Sequence, residues 1–212
     1  MPLRAELMAF VKEGPVIDSH EHIYPRDPQA YDGLFALWRD SYVATDFYSA
    51  GMPPDIFDLA TRDEEAAWAK IKPYLEAVRN TAYYGSLLDA CRELYGLDND
   101  IDDDNWMCLS EAIRRASSRE TWVDEVFHRA GIVAAMQDTF WDPLPEHLPS
   151  GRLERVVRIN VFVVCPLPGL RDHNGHSPYD LQDKLGVEVR CLSDYLDLFD
   201  AFLQWHLDRG AV

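Results

Sequence analysis

The order of local patterns limits the fold of this chain more than any single motif does. Two strand-like segments, 15–23 and 131–139, are separated by about a hundred residues in which only helical patterns occur. Such a stretch is far longer than an ordinary crossover between neighbouring strands, so 29–130 is expected to form an inserted helical subdomain. The first segment, Pro15-Val-Ile-Asp-Ser-His-Glu-His-Ile23, is apolar at its start and polar at its end. It reads as a buried strand whose C-terminal end reaches a site. Gly131–Thr139 reads as a second buried strand, and Val156–Cys165, dense in Val, Ile and Phe, as a third. Near-continuous apolar runs suit parallel strands covered on both faces, and their alternation with helices predicts an α/β class. The three strands are expected to be neighbours in chain order, with the insertion over their C-terminal ends.

The helical signals are local. Leu3, Leu7, Phe10 and Val11 share one face of a helix over 3–13, closed by Gly14 and Pro15. Thr61-Arg-Asp-Glu64 has the spacing of a capping box ahead of Ala66, Trp68, Ile71 and Leu75, and Pro73 is expected to kink or end that helix. Thr81–Tyr95 reads as a helix closed by Gly96, and further helices are expected near 106–115 and 119–129, the latter capped by Ser117 and Glu120. Ser193 is expected to cap a last helix carrying Tyr195, Leu196, Phe199, Phe202, Leu203 and Leu207. The run Asp98–Asp104 lacks the glycine and the closing glutamate of a calcium loop, and reads as a solvated acidic turn. Trp38, Trp68, Trp106, Trp122, Tyr83 and Tyr84 are expected in the core of the helical subdomain.

Charge excludes some partners. The 212 residues carry a net charge of −17, which repels phosphate backbones and anionic membranes, so neither nucleic acid nor a membrane is expected as a partner. A small-molecule substrate is expected instead, and self-association into a homo-oligomer stays open. Cys91, Cys108, Cys165 and Cys191 are widely spaced and form no CxxC pair. They read as reduced, mostly buried thiols of a cytoplasmic protein.

The chemistry concentrates in Asp18, His20 and His22. At every second position of a strand their side chains point to one face. Two imidazoles so placed can reach one ion, each offering a nitrogen at about 2.0–2.1 Å from zinc. His20 and His22 are therefore the candidate ligands of a divalent metal, zinc by preference, with Asp18 in support. The bland alternative is a pair of structural histidines. Arg171, in the polar loop 166–184, is the candidate cation for a substrate carboxylate, because an acidic protein needs local positive charge to attract one. His173 and His176 are expected at the surface or against substrate, and His128, His147 and His206 as exposed helix or loop histidines.

With these residues in place the chain resembles the amidohydrolase superfamily, and more narrowly its uronate-isomerase-like branch. The resemblance rests on Val16-Ile-Asp18-Ser-His20-Glu-His22-Ile23, on Leu37-Trp38 and Asp40-x-Tyr42, on Leu94-Tyr95-Gly96, and on Asp138-Thr139 followed by Asp142-Pro143. It departs from that branch where basic residues would follow Asp-x-Tyr, since Val43, Thr45 and Tyr48 stand there, and where an Arg-Pro-Asp motif would follow the third strand. The resemblance implies the N-terminal part of a metal-dependent (β/α)₈ TIM barrel. On that expectation 1–28 and 131–212 form the partial barrel, and 29–130 is the insertion after strand 1. It also implies Tyr42 as a substrate contact. The expected activity is that of a metal-dependent hydrolase acting on a small substrate, with a carboxylate-bearing one in view. Uronate isomerisation and metal-dependent decarboxylation are the enzymatic alternatives, and an inactive fragment or binding module the non-enzymatic one. Gly210 followed by Ala211-Val212 reads as the entrance to a fourth strand, so the chain is expected to stop before such a barrel is complete.

Overall fold

A computed structural model describes residues 2–23, 31–138 and 151–211. The chain divides into two compact units, one formed by 26–122 and the other by 1–25 with 123–212. The expected positions of Thr139, Asp142, Pro143 and His147 lie outside the described residues.

The unit 26–122 is helical: α2 (Leu34–Arg39), α3 (Val43–Ser49), α4 (Asp55–Ala60), α5 (Glu64–Val78), α6 (Ala82–Tyr95) and α7 (Trp106–Ser117). Local chemistry sets several of these ends. Thr81 accepts from the Tyr84 N–H, and Gly96 closes α6 in the left-handed region at φ 74°. The α5 cap is Asp63, which accepts from the Ala66 N–H at 2.9 Å, and not Thr61. Pro73 sits inside α5 without ending it. Trp38, Phe47, Ile71, Tyr84, Ile101 and Ile113 are almost wholly buried in one core. Trp68, Trp106 and Trp122 are also buried, while Tyr83 is half exposed.

The acidic run is an anchor for this unit. Asp100 accepts from Tyr84 Oη at 2.6 Å and pairs with Arg79, and Asp103 accepts from Trp68 Nε1 at 2.8 Å and pairs with Lys72. A tight packing point lies at Gly33, the residue ahead of α2, with φ 86°. The Leu34 N–H donates to Ser110 Oγ at 3.0 Å, and a β-carbon on Gly33 would land on that same oxygen. Gly33→Ala is therefore expected to cost about 2 kcal/mol, from left-handed backbone strain plus the displaced hydroxyl. Gly51→Ala, where φ is 93° and the space is open, should cost about half as much. Urea unfolding of the two variants measures the difference, and equal losses would dismiss the Ser110 contact.

The other unit holds α1 (Pro2–Glu13), β1 (Val16–Glu21), α8 (Trp122–Arg129, from Val123 on), β2 (Ile132–Gln137), β3 (Leu153–Arg155), α9 (Asn160–Val164), a 3₁₀ turn at Pro178–Leu181, α10 (Gln182–Leu185) and α11 (Leu192–Leu207). The strands form one parallel sheet in the order β1-β2-β3. Phe127 of α8 buries Ala135 and Leu153 beneath it. A second cluster joins Val161 and Phe162 of α9 to Tyr195, Leu198 and Phe202 of α11. The cap of α11 is Cys191 with Asp194, two residues before the expected Ser193.

The barrel expectation fails here. The protein is mostly helical, and its described residues hold one small sheet of three strands where a closed barrel takes about eight. The expected third strand is the clearest error. Only Leu153–Arg155 pairs with β2, and within the run 156–165 residues 160–164 are helical. Tertiary packing overrides the β-branched composition there: the helix turns Val161 and Phe162 together onto α11 and leaves Val163 and Val164 exposed. β1 is an edge and not a buried strand, with Ile17 65% exposed. The α1 face of Leu3, Leu7, Phe10 and Val11 is exposed as well. Ala211 makes a parallel bridge to Arg155. No helix among the described residues is long and apolar enough to cross a membrane.

Candidate metal centre

The end of β1 is irregular. Asp18 pairs with Ala135 and Glu21 with Gln137, so three steps on β1 match two on β2. That is the count of a β-bulge, which re-aims side chains at a strand end. The simple alternation expected of Asp18, His20 and His22 is thus interrupted. Two carboxylates satisfy backbone groups at the irregularity: Asp18 Oδ1 accepts from the His20 N–H at 3.1 Å, and Glu21 Oε1 from the His22 N–H at 2.7 Å. Burial pushes the Glu21 carboxyl above its ordinary range. The His22 N–H pulls it back, and the charge of Asp18 adds to the rise.

Pairing with β2 brings in a residue from far along the chain. The Asp138 N–H donates to Glu21 O at 2.8 Å, which extends the ladder one residue past β2. The Asp138 carbonyl in turn accepts from His22 Nδ1 at 2.8 Å. An imidazole that donates from Nδ1 carries its lone pair on Nε2, and a carbonyl on the second nitrogen is the usual way a metal-binding histidine is oriented. His20 and His22 meet edge to face with ring centroids 4.6 Å apart, and His20 Nδ1 lies 3.9 Å from Asp138 Oδ2.

One donor atom from each of His20, His22 and Asp138 falls within 4.8 Å of the others. Donors held at zinc's bonding distance around a tetrahedron are about 3.4 Å apart, so the three side chains need to close by roughly an ångström. Two imidazoles and one carboxylate also form a donor set that zinc accepts in sites with an open fourth position. The residues fit the ion. The Asp138 side chain is 7% exposed and that of His20 58%, so the carboxylate is seated in the protein while one imidazole faces solvent. His20 therefore does not lie in a barrel interior.

Arg171 is held by Asp180 through two hydrogen bonds of 2.7 and 2.9 Å, closing its own loop. Tyr42 belongs to the helical unit, where its exposed ring stacks on Tyr83 at 5.1 Å. His173 and His128 are exposed, and His176 is half-buried beside Asp172. His206 was expected at the surface and is 4% exposed. Cys91 and Cys165 are buried, Cys108 and Cys191 exposed, and all four are free thiols.

Sequence reasoning missed two members of the constellation. Asp138 carried a usable signal, being the first carboxylate after an apolar strand run, where parallel strand ends come together. Arg158, whose Nε lies 3.5 Å from Asp138 Oδ2, was hidden inside the expected third strand. No protein-family model matches the chain, and no curated protein matches it either.

Proposed function

We propose that this protein is a metal-dependent hydrolase whose divalent ion, zinc by preference, is held by His20, His22 and Asp138. The observation that carries this reading is the meeting of two imidazoles and a buried carboxylate at the adjacent ends of β1 and β2. In such a site the ion supplies Lewis acidity, drawing the pKa of a water toward neutrality or polarising a substrate carbonyl. The chain's own residues do the rest. Asp138 orients His22 with its carbonyl and offers its carboxylate as a ligand, so one residue sets both the tautomer and the charge of the site. Asp18 and Glu21 hold the backbone of the two histidines. The exposed side of His20 leaves room for a small substrate to approach.

A zinc titration by calorimetry tests the reading. One-to-one binding is expected, weakened about a hundredfold in His20→Ala, His22→Ala and Asp138→Ala, because each removes one of the three proposed ligands. Turnover of amide or lactone substrates by the loaded protein, lost in the same variants, would establish hydrolysis. Zinc binding indifferent to all three substitutions would sink the proposal.

A further inference from the structure

The carboxylate of Asp138 is shared. Its Oδ2 faces His20 Nδ1 at 3.9 Å and Arg158 Nε at 3.5 Å, so the carboxylate oxygen turned toward His20 already has a cation beside it. Arg158 lies three residues past β3, and its side chain is 22% exposed. A guanidinium so placed is a planar, delocalised positive charge with several N–H donors. A carboxylate 7% exposed needs a counter-charge, and Arg158 supplies one in the metal-free protein.

We propose that Arg158 is the resident counter-ion of Asp138, and that metal loading transfers the carboxylate from the guanidinium to the ion. Arg158 is then a positioning residue that sets how tightly the site holds metal. This rests on the reading of His20, His22 and Asp138 as ligands. Part of the binding free energy of the ion is spent on parting Asp138 from Arg158, so the site is tuned below the affinity its three donors would give alone. Removing the guanidinium should therefore strengthen metal binding, the opposite of what loss of a merely structural residue does.

The test is a zinc titration of the 212-residue chain by calorimetry, with thermal unfolding followed in parallel. Arg158→Gln is expected to bind zinc about tenfold or more tightly than the parent, while Arg158→Lys, which keeps the charge, stays close to it. In an Asp138→Asn background the gain from Arg158→Gln should shrink to less than about threefold, because the contested carboxylate is gone. The metal-free Arg158→Gln protein should melt earlier, and zinc should raise its midpoint more than it raises the parent's. Equal affinities in parent and Arg158→Gln, both weakened about a hundredfold by His20→Ala, would overturn this proposal and leave the metal site standing. A gain that persists undiminished in the Asp138→Asn background would also overturn it. Binding that ignores His20→Ala in every variant would remove the metal reading, and this one with it.

Discussion

Replacing Trp38 by alanine is expected to destabilise the helical unit by about 3–5 kcal/mol. Trp38 is fully buried on α2, and its ring meets those of Phe35, Phe47 and Trp68 at centroid distances of 5.8, 5.1 and 6.5 Å. Trp68 in turn stacks on Trp106 at 5.3 Å, so α2, α3, α5 and α7 all depend on one aromatic block. Neighbours tied to four helices cannot collapse into the vacated space. The lost transfer energy and the cavity therefore add. Trp38→Phe separates the two terms. The indole Nε1 has no hydrogen-bond partner among the described residues, so the phenyl ring loses volume but also removes a buried, unpaired donor. Its cost should stay below about 2 kcal/mol, the range of a partial trim in which a donor penalty is also relieved. Urea unfolding followed by far-UV circular dichroism measures both. A loss under about 1.5 kcal/mol for Trp38→Ala would mean that the block is not what holds these helices together.

Acid should weaken the other unit through His206. This imidazole sits on α11, 4% exposed, edge to face with Phe202 and Trp205 at 4.5 and 4.8 Å. Its Nδ1 finds no hydrogen-bond partner among the described residues. Burial lowers its pKa to about 4, and the charges of Lys184 and Arg209, both lying over the Trp205 ring, push the same way. The folded protein thus keeps His206 neutral down to about pH 4, whereas the unfolded chain takes up the proton near its ordinary value of 6.5. Between those two values the unfolded state binds more protons, so stability falls as the pH falls. Above that window the residue contributes no pH dependence, and below it the loss is complete, at about 3 kcal/mol. His206→Leu removes the titration and leaves no polar atom to satisfy. The difference in unfolding free energy between parent and variant should change by about 1.4 kcal/mol per pH unit within the window and stay flat above it. Parallel pH profiles would show that His206 takes up its proton equally well in the folded state.

Neither result could have been drawn from the sequence, and the reason differs between them. The aromatic residues of the helical unit are visible as core candidates, because Trp and Phe carry large apolar surfaces that favour burial. Which ring bears on which is a matter of how α2, α3, α5 and α7 meet. His206 looks like a surface histidine near the end of an amphipathic helix. It becomes buried because Phe202, Trp205 and the charges of Lys184 and Arg209 gather around it.

What the sequence by itself determined is whatever is satisfied within a few residues. The cap at Thr81, the left-handed stop at Gly96 and the helical character of the stretch between β1 and β2 are of this kind. So is the placement of His20 and His22 at the polar end of an apolar segment. The tertiary structure decided the rest, and with it the class of fold. Val156–Cys165 has the composition of a strand, and only packing against α11 makes its middle a helix. The sheet ends at three strands among the described residues, where the pattern suggested the start of a barrel. The candidate metal centre shows the same division. Two of its candidate ligands are neighbours in the chain and legible there. Asp138 stands 116 residues after His22, and Arg158 a further 20, and parallel pairing of β1, β2 and β3 is what carries them to the histidines. A residue's local preferences cannot encode a partner that only strand register supplies.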